Sequence, residues 1–166
     1  MVYRIGNDSN MPDNILRDGN VYEIRIKQMK PNHTAYLAFG TNIGDREANI
    51  ERAYQMVEER AGHILRRSSL MKSEPWGFES DNMFFNSVAC VLTTLTPHQL
   101  LAVTQKIEKD MGRREKSKDG VYHDRLIDID ILLYDDITLK SPELTIPHPL
   151  MKKRDFVMIP LKEIKP

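Results

Sequence analysis

Two aspartates one residue apart, inside an apolar run, are the first feature of this sequence that could do chemistry. The run is Arg125-Leu126-Ile127-Asp128-Ile129-Asp130-Ile131-Leu132-Leu133. Strand side chains alternate between faces. Ile127, Ile129, Ile131 and Leu133 are therefore expected on one face, against a core. Asp128 and Asp130 fall on the other face, about 6.6 Å apart at ~3.3 Å per residue. Aspartate is a poor strand former, so two of them in one strand call for a reason. Two carboxylates so placed can each reach a shared pair of hard cations, which lie roughly 3.5–4 Å apart in two-metal sites. Oxygen-only ligands favour Mg²⁺ over zinc. A solvated polar face on an amphipathic strand is the bland alternative, and spacing alone does not decide between the two.

The surroundings favour the site. Arg125, His148 and Arg154 supply cations or donors for phosphate oxygens, and Arg113, Arg114, Lys116 and Lys118 crowd the segment before the strand. Cations beside an acidic pair are what a metal–triphosphate site needs. A second cluster, Ser73-Glu74-Pro75-Trp76-Gly77-Phe78 with Phe84-Phe85-Asn86, holds the only Trp, three Phe and an Asn. Such a mixture suits a planar, nitrogen-rich heterocycle, since aromatic faces stack and an amide reads a ring edge as donor and acceptor. An aromatic core cluster would have a similar composition. Gly40-Thr41-Asn42-Ile43-Gly44-Asp45 lacks the Gly-Lys-Ser/Thr ending of a phosphate loop. Its glycines read as tight-turn residues.

These side chains need elements to position them. Ala35 to Phe39 reads as a buried strand, followed by a turn in which Asp45 caps a helix. Ile50, Ala53, Tyr54, Val57 and Ala61 share a helical face, and Gly62 ends it. Ile64 to Lys72 reads as a strand, 73–82 as a loop and Phe84 to Leu95 as a second long strand. Thr96-Pro97-His98-Gln99 is a helix start with cap, proline and capping-box glutamine. The helix runs to Met111 and stops at Gly112. Leu126 to Tyr134 is the strand bearing the aspartates. Phe156 to Leu161 closes the domain as a short helix or strand. Strand, helix, strand, strand, helix, strand is the ferredoxin-like βαββαβ pattern of the α+β class, an antiparallel sheet with helices packed on it. Residues 1–33 read as an N-terminal extension, either with one edge strand or partly disordered, and residues 34–166 as the functional domain.

The bulk composition narrows the class. Lys plus Arg and Asp plus Glu both number 24. The missing basic excess argues against a nucleic-acid binder, and no apolar run is long enough to span a membrane. A single cysteine, Cys90, in an apolar run reads as a small buried hydrophobe and fits a reducing cytoplasm.

Phe39-Gly40-Thr41-Asn42-Ile43-Gly44-Asp45, Glu74-Pro75-Trp76-Gly77, Phe84-Phe85-Asn86, Arg125 to Ile131 and Ile146-Pro147-His148-Pro149, in this order and spacing, resemble the 6-hydroxymethyl-7,8-dihydropterin pyrophosphokinase family. The resemblance covers Thr34 to the end. It implies a cytoplasmic monomer that moves diphosphate from ATP to the pterin alcohol in folate biosynthesis and releases AMP. Two Mg²⁺ ions are implied on Asp128 and Asp130. Gln105, Glu108, Arg113, Arg125, Ile131, Thr145, His148 and Arg154 would surround ATP. Ser73, Trp76, Phe84, Asn86, Tyr122 and Phe156 would hold the pterin. Catalysis would fall to the two aspartates with Arg113 and Arg125. The segments 40–47, 73–83 and 113–124 would close over both substrates.

Overall fold

The sheet is built around two strands whose side chains are buried on both faces. A computed structural model describes residues 32–77, 79–112 and 124–165, which belong to one compact unit starting at Asn32. Strand β1 spans His33–Thr41 and β4 spans Phe84–Thr93. They pair antiparallel along their full length, from His33 with Thr93 to Thr41 with Phe85. On the far side of β1 lies β5 (Asp128–Tyr134), also antiparallel. On the far side of β4 lie β2 (His63–Arg67) and β3 (Met71–Ser73), end to end on the same edge. The order β2-β4-β1-β5, with β3 on β4, is the sheet of a ferredoxin-like α+β fold.

Helix α1 (Arg46–Arg60) begins where the Asp45 carboxylate accepts the Ala48 N–H at 3.1 Å. Helix α2 (Pro97–Asp110) begins with a full capping box between Thr96 and Gln99. Such caps satisfy amides that have no partner inside the helix. Gly62 at the exit of α1 has φ +152°, and a Cβ there would stand 2.2 Å from the Leu92 carbonyl. Only glycine lets the chain turn this close to β4. Both helices cover one face of the sheet. Ala35, Leu37 and Phe39 of β1, Ala89 and Val91 of β4, and Ile127, Ile129 and Ile131 pack there against Ile50, Val57, Leu100 and Ile107. Helix α3 (Asp155–Ile164) covers part of the opposite face. Its Val157, Leu161 and Ile164 pack on Tyr36, Val88, Cys90 and Leu132.

Four sequence expectations need correction. Leu133 does not share the face of Ile127, Ile129 and Ile131. It packs with the α3 cluster, because the β1–β5 register shifts between Tyr36 and Leu37, and an irregularity of this kind breaks the two-residue alternation. The stretch 64–72 is two short edge strands and not one. Between them the Ser68 hydroxyl donates to the Ser69 carbonyl and accepts the Val88 N–H, both at 2.9 Å. Strand β5 starts at Asp128, two residues later than expected. Gly40 lies within β1 and is no turn residue. Gly44, at φ +69°, is. A two-stranded ribbon, β6 (Leu139–Lys140) with β7 (Thr145–Ile146), and a 3₁₀ turn at Met151–Lys153 complete the chain to α3.

Candidate functional site

The opposite face of the sheet is only partly covered by α3, and the uncovered part is a basin of about 530 Å³. Its floor follows from the strand register. Gly40 on β1 lies between Asn86 of β4 and Asp128 of β5, and Ala38 lies between Val88 and Asp130. The central strand thus offers a glycine and an alanine beside Asn86, Asp128 and Asp130. Asn86 and Asp128 are two strands apart, about 9.6 Å at ~4.8 Å per strand spacing. That is room for a bicyclic ring between a ring-edge reader and a carboxylate.

The acidic side of the basin holds the expected cations. Arg125 Nη1 donates to Asp128 Oδ2 at 2.5 Å. Arg154 Nη1 stands 3.9 Å from Asp130 Oδ2. Arg154 is itself buried, and its guanidinium lies 4.6 Å from the Trp76 ring centre and 5.9 Å from that of Phe156. His148 also lines this side. Its Nδ1 accepts the Leu150 N–H at 3.2 Å, which leaves the ring proton on Nε2 as a donor. Burial, with help from the Arg154 charge, pushes the His148 pKa below the usual histidine value against the pull of Asp128. Glu108 from α2 is buried, and its Oε1 accepts the Ile129 N–H at 2.7 Å. It therefore closes the outer edge of β5, where no further strand pairs among the described residues.

The other side is the aromatic cluster. Asn86 is buried, and its Nδ2 donates to Ser73 Oγ at 2.9 Å and to the Met71 carbonyl at 3.3 Å. Those bonds fix how the amide faces the basin. Phe84 is buried beneath the Arg125 guanidinium, 5.8 Å from ring centre to cation.

The basin brings together Ser73, Trp76, Phe84, Asn86, Gln105, Glu108, Arg125, Asp128, Asp130, Ile131, Thr145, His148, Arg154 and Phe156. Arg113, Tyr122 and all of 113–123, including the expected covering segment, lie outside the described residues, as does most of the N-terminal extension. Phe85, named in the aromatic cluster, does not line the basin. It lies between the Arg46 and Lys72 side chains, 4.7 and 5.3 Å from its ring centre.

Sequence reasoning missed a polar junction beside the basin. Asn42 Nδ2 donates to Asp124 Oδ1 at 2.6 Å, Ser80 Oγ to the same oxygen at 2.7 Å, and Asn82 Nδ2 to Asp124 Oδ2 at 2.9 Å. The Ser80 hydroxyl above all, then the two amides and the Arg125 charge, outweigh partial burial and hold the Asp124 carboxyl below the usual aspartate range. No spacing rule could have found it, because Asp124 and its partners come from three separate loops.

Asp128 and Asp130 suit a hard divalent cation in kind, being carboxylates on one strand face in a basin that also holds cationic side chains. Among the described residues no group of three or more His, Cys, Asp or Glu could hold a metal on its own. The remaining ligands of a six-coordinate ion would be water and substrate oxygens.

Comparisons with known proteins identify the family. The model of the 7,8-dihydro-6-hydroxymethylpterin-pyrophosphokinase family matches residues 36–166. A 2-amino-4-hydroxy-6-hydroxymethyldihydropteridine pyrophosphokinase of Porphyromonas gingivalis is 47% identical over 132 residues, 79% of this chain and 90% of that one. Its counterpart in Aquifex aeolicus is 44% identical over 133 residues, 80% of this chain and 81% of that one. The crystal structure of wild-type Plasmodium falciparum HPPK-DHPS with pteroate shares the fold at a TM-score of 0.66 and 16% identity. That match covers 83% of this chain and only 42% of the larger one. The chain belongs to the 7,8-dihydro-6-hydroxymethylpterin-pyrophosphokinase family.

Proposed function

We propose that this pterin diphosphotransferase performs its reaction in the basin on the open face of the sheet. ATP and 6-hydroxymethyl-7,8-dihydropterin are the substrates, and AMP and the pterin diphosphate are the products. The observation that carries the reading is the row Asn86–Gly40–Asp128. It sets a ring-edge amide and a metal-type carboxylate on one floor, with a residue lacking a side chain between them. The pterin lies over Gly40 with Asn86, Ser73, Phe84 and Phe156 around it. The triphosphate lies over Asp128 and Asp130, reached by Arg125, Arg154 and His148, with Arg113 and Tyr122 as further members. Gln105, Glu108, Ile131 and Thr145 form the nucleotide side.

The pterin hydroxymethyl oxygen attacks the β-phosphorus and AMP departs. The chain contributes position and charge, which is most of what phosphoryl-type transfer asks of a protein. Asp128 and Asp130 would hold two Mg²⁺ ions, which when bound neutralise charge on the phosphate oxygens. Arg125, anchored by Asp128, presents a fixed guanidinium and spends little entropy on substrate binding. His148, neutral and donating from Nε2, adds a hydrogen bond without adding a full charge. Trp76 and Phe156 flank Arg154 and keep its cation at the boundary between the two substrates.

The proposed catalytic domain is residues 34–166, preceded by an N-terminal extension, residues 1–33. The enzyme is proposed to act as a monomer. Lone Cys90 supports a cytoplasmic setting. Among the described residues no helix is long and apolar enough to cross a membrane. Calorimetry with a non-hydrolysable ATP analogue and Mg²⁺, followed by the pterin, tests the reading. Binding of both ligands is expected, with no heat for nucleotide in Asp128→Ala. Binding of nucleotide without any pterin site would overturn it.

A further inference from the structure

Asp124 lies four residues ahead of the first metal-type aspartate, outside the basin lining. Its carboxylate is nevertheless the meeting point of three loops. Asn42 comes from the turn between β1 and α1, and Ser80 and Asn82 come from the segment entering β4. Each donates to it at 2.6–2.9 Å. Asn42 is fully enclosed, and it also grips the next residue. Its Oδ1 accepts the Arg125 N–H at 2.8 Å, and its own N–H donates to the Arg125 carbonyl at 3.2 Å. The segment with Ser80 and Asn82 is pinned from another direction, since Arg46 Nη1 donates to the Met83 carbonyl at 2.9 Å. The backbone of Arg125 is thereby fixed on both sides, while its guanidinium reaches Asp128.

We infer that Asp124 is a positioning residue for diphosphate transfer: its carboxylate, through Asn42, Ser80 and Asn82, locks the Arg125 backbone and the entrance to β4 into one frame. The inference rests on the diphosphotransferase reading above. The geometry demands an acceptor-only group. Asn42 Nδ2, Ser80 Oγ and Asn82 Nδ2 are all donors, and a carboxylate offers lone pairs on both oxygens without bringing a competing N–H. Three charge-assisted hydrogen bonds on one exposed carboxylate tie these loops together. Arg125 is placed to meet phosphate charge, and displacements of about 1 Å in such a group cost up to ~10²-fold in rate. The loss should therefore appear in turnover more than in nucleotide affinity.

A polarity swap tests this. Asp124→Asn keeps the shape and keeps Oδ1 for Asn42 and Ser80, but it sets an N–H against the Asn82 N–H. It should lower kcat on the order of tenfold while the Kd of a Mg²⁺-bound ATP analogue changes less than about twofold. Asn82→Asp alone sets carboxylate against carboxylate and should also lower kcat. The double variant Asp124→Asn/Asn82→Asp restores donor to acceptor and should return kcat to within about threefold of the unaltered enzyme. A side chain that matters only for general stability would lower the melting temperature and leave the kcat of the folded variants unchanged. Unchanged kcat in Asp124→Asn, or a double variant as slow as the product of the singles, overturns the inference. If Asp124→Asn melts below the assay temperature, Asn82→Ala removes one donor from an exposed loop, and full kcat there overturns it equally. AMP release by the unaltered enzyme in the same assay separates the two levels. Its absence sinks the diphosphotransferase reading together with this role for Asp124, whereas its presence with unaffected variants sinks only the latter.

Discussion

The Arg154 guanidinium lies 4.6 Å from the centre of the Trp76 ring, and Nη1 of the same group lies 3.9 Å from an Asp130 oxygen. One buried cation thus touches the aromatic side and the acidic side of the basin at once. Trp76 is the only tryptophan in the chain, so its emission reports on this contact. A Mg²⁺–ATP analogue bound without pterin is expected to shift the emission, as phosphate competes for the guanidinium. Arg154→Ala should shift it in the free enzyme and abolish the response. An ATP-induced change of the same size in Arg154→Ala would remove Arg154 from the nucleotide side.

Removing either strand aspartate should leave a folded but nearly inactive enzyme. Both carboxylates lie on the open face and neither belongs to the packed core. Asp128→Ala and Asp130→Ala are each expected to cost several kcal/mol of charge stabilisation, on the order of a hundredfold or more in kcat. Circular dichroism should be unchanged. Near-normal turnover with Mg²⁺ in both variants would disprove the metal assignment.

The pterin side should respond separately. Asn86 is buried and oriented by Ser73 and Met71. Asn86→Ala leaves a ring edge without its partner at a cost of about 1–3 kcal/mol. Pterin affinity should fall accordingly, with nucleotide affinity little altered. Equal losses for both ligands would put Asn86 at the wrong site.

His148 supplies a pH signature. Its pKa is lowered from the ordinary 6.5 by burial first and by Arg154 second. The unfolded chain therefore takes up this proton before the folded one does. Between the ordinary value and the lowered one, acidification draws the equilibrium toward the unfolded state. Above the ordinary value the effect vanishes, since the ring is neutral in both states. In the free enzyme the His148 ring resonances, assigned with His148→Gln, should titrate below the ordinary histidine range. Titration at or above that range would contradict the buried, neutral role given to this side chain.

Much of this site was legible in the sequence because its signals are local. The alternation Ile-Asp-Ile-Asp-Ile gave Asp128 and Asp130 a shared face, and Thr96 with Gln99 marked the start of α2 by chemistry confined to four residues. Leu133 was misplaced because the register shift opposite Tyr36 and Leu37 depends on the partner strand. Gly40 was taken for a turn residue because its role is defined only by Asn86 and Asp128 on either side of it, 46 and 88 positions away in sequence. Asp124 was missed for a similar reason. Its partners Asn42, Ser80 and Asn82 come from loops, and hydrogen bonds among loops leave no periodic trace.

The central claim is that the basin moves diphosphate as a unit, and product identity tests it most directly. With ATP, Mg²⁺ and 6-hydroxymethyl-7,8-dihydropterin, phosphorus NMR of the reaction should show AMP and a pterin diphosphate rising together, one for one. ADP with a pterin monophosphate, or inorganic phosphate in place of any pterin ester, would contradict the account.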